Sequence, residues 1–187
     1  MTSRRQTPQP SPRREVRLTS LIIPEYYAAH RAIWSGQYNE YLGDGGRGSL
    51  KSTFAATEHI LLVMRTPDIH GVVLRKVGGT LATSVWPEYN RVIDRMGVRH
   101  LWQQSRKPLT LTYTPTGQTI QFFGLDDPGK LKSMAAPFGY FGTLHFEEFD
   151  QYDGPEEVRN VEQSVFRGGP FSFSFKTFNS PAMARHW

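Results

Sequence analysis

Three glycines followed by a lysine and two hydroxyl residues, Gly45-Gly46-Arg47-Gly48-Ser49-Leu50-Lys51-Ser52-Thr53, restrict the fold of this chain more than any other segment. Asn39 to Leu42 reads as a brief strand entering it. From Lys51 to about Arg65, the apolar positions Phe54, Ala55, Ile60, Leu61, Leu62 and Met64 suit a mostly buried helix. Strand, glycine bend and helix in that order make a phosphate cradle. The glycines let backbone N–H groups turn onto phosphate oxygens, Lys51 reaches the β/γ-phosphates, and the Ser52 hydroxyl ligates Mg²⁺. The helix dipole adds to the attraction. One position departs from G-x-x-x-x-G-K-[ST]: Leu50 stands where glycine precedes the lysine, which is expected to set a side chain where backbone should approach phosphate.

The rest of the chain alternates in kind. Pro24 to Gly36 carries proline at its opening turn and glycine at its end, the marks of a short helix. Gly71-Val72-Val73-Leu74-Arg75 reads as an interior parallel strand. A helix is expected from about Thr80 to Met96, kinked or divided at Pro87. Leu109 to Tyr113, the turn Thr114-Pro115-Thr116-Gly117, and Gln118 to Phe123 read as a β-hairpin added antiparallel to the main sheet. Gly124 to Ala136 is polar and rich in breakers, and is expected to be mobile. Tyr140 to Phe146 is a further strand, Pro155 to Phe166 a helix with Glu156 and Glu157 in its first turn, and Phe171 to Phe178 a strand. Strands alternating with helices indicate a three-layer α/β sheet.

Composition narrows the class. At 187 residues, with 38% hydrophobic and 13% aromatic side chains, the chain can bury one sizeable core. There is no cysteine, hence no disulfide framework and no thiolate metal site. His30, His59, His70, His100, His145 and His186 are scattered and read as packed or surface histidines rather than zinc ligands. Of the formal +5, the first 17 residues supply +4, from five arginines against one glutamate, which leaves +1 for the remainder. Residues 1–20 are therefore expected to form a basic disordered tail, and residues 21–187 a single domain. No apolar run is long enough to cross a bilayer.

Glu147 and Glu148 sit at the carboxyl end of a buried strand, well downstream of the phosphate loop. One acid can hold Mg²⁺ while the other orients and deprotonates the attacking water, which is what triphosphate hydrolysis requires. Glu147 is the expected metal contact and Glu148 the general base.

With the glycine loop, this acidic pair, the hairpin ending Phe122-Phe123-Gly124-Leu125-Asp126-Asp127 and the later Thr177-Phe178-Asn179-Ser180-Pro181, the chain resembles the ATPase domain of the large terminase subunit of tailed phages, from about Leu21 onward. That resemblance implies a P-loop NTPase fold of the additional-strand (ASCE) class, mostly parallel with an antiparallel hairpin. It also implies ATP and Mg²⁺ as cofactors, and ATP-driven packaging of double-stranded DNA into a procapsid in the host cell cytoplasm. A portal protein and a small terminase subunit would be partners, in a ring of identical copies, with no membrane involved. By the same resemblance, Lys51 and Ser52 are the Walker A lysine and metal-ligating hydroxyl, and Arg47 the loop arginine that reaches the γ-phosphate. Gly45, Gly46, Gly48, Ser49, Leu50 and Thr53 complete the nucleotide loop, Ser52 and Glu147 hold the metal, and Glu148, Arg47 and Lys51 are catalytic. Thr177 to Asn179 resembles the motif that senses the γ-phosphate. Tyr27 and Arg31 are candidates for holding adenine, and Arg75, Arg91, Arg106 and Arg159 for an arginine donated to a neighbouring subunit. Leu50 and the Glu147 in place of aspartate depart from the pattern, and a nuclease domain is expected to be absent. A helicase-like DNA-dependent ATPase and a non-hydrolysing nucleotide- or DNA-binding module are the alternatives.

Overall fold

The structure is a computed structural model that describes residues 16–46, 48–126, 129, 131 and 134–179. Strand β1 (Glu40–Asp44) leads through the glycine bend into α2 (Lys51–Arg65); a short helix, α1 (Tyr27–Trp34), precedes both. Then come β2 (Ile69–Arg75), α3 (Val85–Arg95), β3 (Trp102–Arg106), β4 (Leu109–Tyr113), β5 (Gln118–Gly124), β6 (Tyr140–Glu147), α4 (Pro155–Val165) and β7 (Phe173–Phe178). Among the described residues, seven strands form one sheet in the order β1-β7-β6-β2-β5-β4-β3. From β1 to β5 the neighbours run parallel; β4 and β3 are antiparallel additions.

Side chains alternating across the sheet build two cores. Val73, Ile120, Phe122, Phe173 and Phe175 pack with α1, α2 and α3 on one face. Val72, Leu74, Leu144 and Phe146 pack with Val158, Val161 and Val165 of α4 on the other. Each fully buried side chain of this size contributes about 1.5–3 kcal/mol relative to exposure, so the two layers clamp the central strands β2 and β6 from both sides. The spacing of Val85, Trp86, Tyr89, Val92 and Ile93 puts one stripe of α3 into the core, which is what seats this helix beside α2.

The three-layer sheet, the α2 span and the strand that ends in the acidic pair agree with the reading from sequence. Several boundaries do not. The helix expected from Thr80 starts only at Val85, after a 3₁₀ turn at Gly78–Thr80. Pro87 is its third residue, within the first turn where a missing N–H costs no helical bond, so nothing is kinked. The second strand of the hairpin, β5, is not an antiparallel addition but a parallel partner of β2; β4 is the antiparallel one. Strand β3 was not anticipated, because after Trp102 its residues Gln103, Gln104, Ser105 and Arg106 are polar and exposed on an edge. Within the segment 1–20 assigned to a tail, residues 1–15 lie outside the described residues, while Leu18–Ser20 form a 3₁₀ turn and Val16 and Leu18 pack on the core. The polar stretch 124–136 lies partly outside the described residues; Leu131 in it is buried against the α4 layer. No described helix is long and apolar enough to cross a membrane.

Candidate active site

Parallel pairing brings one row of residues into line at the carboxyl edge of the sheet: Gly43 opposite Thr177, Thr177 opposite Glu147, Glu147 opposite Arg75, and Arg75 opposite Gly124. The glycine bend leaves β1 directly above this row. Reversing the chain into α2 within so few residues demands left-handed backbone, and Gly45 (φ +154°), Gly48 (φ +84°) and Leu50 (φ +60°) supply it.

Leu50 thus adopts the conformation that glycine gives at this point in the pattern. It is the residue before the first turn of α2, its carbonyl accepting from the Phe54 N–H at 2.8 Å, and its side chain, 45% exposed, lines a cleft with Leu21, Ile22, Tyr26, Phe54 and Arg95. A left-handed non-glycine residue costs about 1–2 kcal/mol, which glycine would relieve while losing about 0.4–1 kcal/mol to its freer unfolded chain. Leu50→Gly is therefore expected to melt no lower than the parent, whereas Leu50→Val, β-branched and worse suited to positive φ, should lose about 1 kcal/mol or more. Thermal unfolding of the two variants side by side checks this; a valine variant that outlasts the glycine variant would refute it.

Lys51 is buried and reaches back across the bend, its Nζ donating to the carbonyls of Gly45 (2.9 Å) and Gly46 (3.3 Å) and to Asn179 Oδ1 beyond β7 (2.9 Å). Ser52, one residue on, donates from Oγ to Glu147 Oε1 at 3.2 Å. Thr53 turns the other way, to Glu88 of α3 at 2.5 Å. The Ser49 N–H donates to the Gly46 carbonyl at 3.3 Å, and its buried Oγ has no hydrogen-bond partner among the described residues. Arg47 lies outside the described residues. Of the residues singled out from sequence, Lys51 is thus tied to the bend and to Asn179, and Ser52, its neighbour in the chain, to Glu147.

Alternation along β6 turns Thr143, His145 and Glu147 toward α2 and α3, and Leu144 and Phe146 toward α4. Burial works to raise the pKa of Glu147. The His145 imidazole beside it and the Thr177 and Ser52 hydroxyls outweigh burial, and hold the carboxyl below its usual value. Glu148 follows with φ +53° and swings to the other side of the chain, where Arg75 at the end of β2 binds its carboxylate. The two adjacent acids therefore face different partners. A hydroxyl and an ionised carboxylate are the oxygen donors that a hard divalent cation keeping most of its waters takes, and an unpartnered buried hydroxyl inside the bend suits a phosphate oxygen; the residues present fit magnesium triphosphate.

Two features escaped the sequence reading. Tyr26, rather than Tyr27, is bound to the bend: its hydroxyl donates to the Ser49 carbonyl at 2.7 Å and its ring stacks on Phe54 at 4.4 Å between centroids. Tyr27 packs into the helical layer and Arg31 is exposed. Residues 24–26 form a 3₁₀ turn before α1 opens, so the phase of the face cannot be counted from Pro24 as one α-helix. Arg75, considered above for donation to a neighbour, is committed within its own chain to Glu148, and Arg91 pairs with Glu88. A cavity of about 410 Å³ lies elsewhere, between α4 and Leu125 and Leu131, and includes none of the bend residues and neither Glu147 nor Glu148.

A mostly parallel sheet in which β7 separates the strand entering the glycine bend from the strand carrying the acids is the additional-strand P-loop NTPase fold. Residues 39–187 match the sequence model described as phage terminase large subunit, and the chain belongs to that family. It is 36% identical over 178 residues to the terminase large subunit of Bacillus phage SPP1, covering 93% of this chain and 42% of that protein. The chain thus spans less than half the length of that relative. Among solved structures, the N-terminal domain of the DNA packaging ATPase from bacteriophage phi29 superposes with a TM-score of 0.61 at 21% identity, over 81% of this chain and 78% of that one. The large terminase of a thermophilic bacteriophage in complex with ADP gives 0.60 at 15% identity, over 80% and 37%. At these identities the structures establish the fold alone.

Proposed function

We propose that this chain is the ATP-hydrolysing motor domain of a phage terminase large subunit, which drives double-stranded DNA into a procapsid. The observation that carries the reading is the meeting of Ser52 with Glu147 (3.2 Å) and of Lys51 with Asn179 (2.9 Å) across the carboxyl edge of the sheet. Residues 45–53 would cradle the triphosphate, with Lys51 releasing its carbonyl partners to meet the β/γ-phosphates. Ser52 and Glu147 would hold Mg²⁺, which when bound supplies charge neutralisation on the phosphate oxygens. Glu148 would orient the water and take its proton, after parting from Arg75. Asn179, tied to Lys51, would register the γ-phosphate, and Arg47 is assigned to stabilise charge there by family resemblance. The family pattern extends to a portal protein, a small terminase subunit and a ring of copies on the procapsid as partners, with the host cytoplasm as the place of action.

Purified protein is expected to hydrolyse ATP in the presence of Mg²⁺ and to stop when the metal is chelated, as followed by phosphate release. Saturable binding of a slowly hydrolysed ATP analogue with no turnover in Mg²⁺ would sink the motor reading in favour of a binding module.

A further inference from the structure

Behind Glu147 lies a chain of polar side chains that the scheme above does not use. His59 of α2, Tyr89 of α3, and Thr143 and His145 of β6 are each fully buried, and Thr177 of β7 nearly so. They are linked end to end: Thr143 Oγ1 to His59 Nε2 at 2.7 Å, His59 Nδ1 to the Tyr89 hydroxyl at 2.7 Å, that hydroxyl to His145 Nδ1 at 2.9 Å, and His145 Nε2 to Thr177 Oγ1 at 2.9 Å and Glu147 Oε2 at 3.3 Å. So many polar atoms in an apolar layer are costly unless each is satisfied, and this series satisfies its members one by one.

The direction of the series follows from its end. An ionised Glu147 can only accept, so the Thr177 hydroxyl spends its hydrogen on Oε2 at 2.9 Å. Thr177 Oγ1 must then accept from His145, and His145 carries its hydrogen on Nε2, also facing the carboxylate. The series takes His145 Nδ1 as the acceptor from the Tyr89 hydroxyl, whose oxygen in turn accepts from His59 Nδ1–H. Burial pushes the His59 imidazole well below its ordinary pKa, so His59 is neutral and its Nε2 accepts from Thr143. Every donor along the line points toward Glu147.

The geometry points to His145, set by Tyr89 and His59 behind it, as a positioning residue for the metal-binding carboxylate: a one-way relay that keeps a donor on Nε2 facing Oε2 and so holds the Glu147 carboxylate in place against Ser52. The inference rests on the proposed role of Glu147. It also ties the metal position to the packing of α2 and α3. Gly71 of β2 guards the start of the line, since a Cβ there would stand 2.4 Å from His59 Nε2. Partners standing behind a metal ligand typically govern about 10–100-fold of metal affinity.

Two experiments on the intact chain test it. Long-range ¹⁵N–¹H spectra of histidine-labelled protein without nucleotide should show opposite tautomers: His145 protonated on Nε2 alone, His59 on Nδ1 alone. A proton on Nδ1 of His145, with or without one on Nε2, or the same tautomer at both residues, overturns the relay. In calorimetric titrations, Tyr89→Phe should lose about tenfold or more of the tightening that Mg²⁺ confers on ADP, while ADP affinity without metal stays as in the parent. His145→Gln, which keeps an N–H near the Nε2 position, should retain more of that tightening than His145→Leu. A purely structural histidine would make these two alike, and that result would also defeat the inference. If the parent protein itself binds ADP equally with and without Mg²⁺, the reading of the whole site falls, and this role with it. If only the variants fail to differ from the parent, the relay alone falls.

Discussion

Glu148→Gln should slow ATP turnover by about 10²–10⁴-fold, the span of a positioned general base, with nucleotide binding retained. The amide has nearly the shape of the carboxylate, and its oxygen can still accept from Arg75, so the left-handed turn after β6 has no new clash to resolve. The Arg75 pairing is partly exposed, with the two side chains at 12% and 31% of full exposure, and a pair of that kind is worth about 0–1 kcal/mol. A loss of turnover a hundredfold or greater cannot come from that source. Single-turnover kinetics beside a bound-nucleotide titration separate the two effects. A Glu148→Gln protein that hydrolyses ATP at the parental rate would remove Glu148 from the chemistry and leave its ion pair as a structural link between β2 and β6.

Lys51→Ala is expected to lower turnover by about 10²–10³-fold, as removal of one preorganised electrostatic group does, and unlike Glu148→Gln it should weaken nucleotide binding as well. The difference lies in where the two groups act. In the proposed scheme Glu148 would meet the water, whereas Lys51 would meet the phosphates both in the bound complex and in the transition state. The same amine joins the Gly45 and Gly46 carbonyls to Asn179, so alanine also unties the bend from the end of β7. Those acceptors sit in a partly buried edge where water can replace the amine, and each charged hydrogen bond is worth about 1.5–3 kcal/mol at most. The melting temperature should therefore fall only modestly beside the loss of function. Parental affinity for the ATP analogue in Lys51→Ala would mean that the bend does not hold phosphate.

Much of this arrangement could be read before any coordinates. The bend at 45–52, the helix from Lys51 to Arg65 and the strand ending at Glu147 announce themselves by short-range rules: glycine spacing, apolar runs and the period of two. The proposal that bend and acids are halves of one phosphate site comes from residue chemistry and from the likeness to phage terminases. Less local facts were out of reach. Pro87 looked like a break because where a helix starts depends on where its apolar stripe docks, and Val85 and Trp86 enter the core just ahead of it. Strand β3 had no hydrophobic alternation to betray it, being an edge held by ladder bonds to β4. His145 could have been noticed two residues before Glu147 on the same face of β6, but nothing nearby in the chain points to Tyr89 or His59 as its supports.

Residue types and short spacings settle which groups can touch phosphate and metal, because a glycine bend, a lysine amine and a carboxylate carry their chemistry wherever they stand. Folding in three dimensions settled which of them meet and which way each one turns. Glu147 lies opposite Thr177 and Arg75 only because β6 inserts between β7 and β2, and Glu148 departs from its neighbour only through one left-handed residue. Sheet order and helix docking are decided by the burial of two whole apolar layers, a sum over distant side chains that no local stretch of the chain contains.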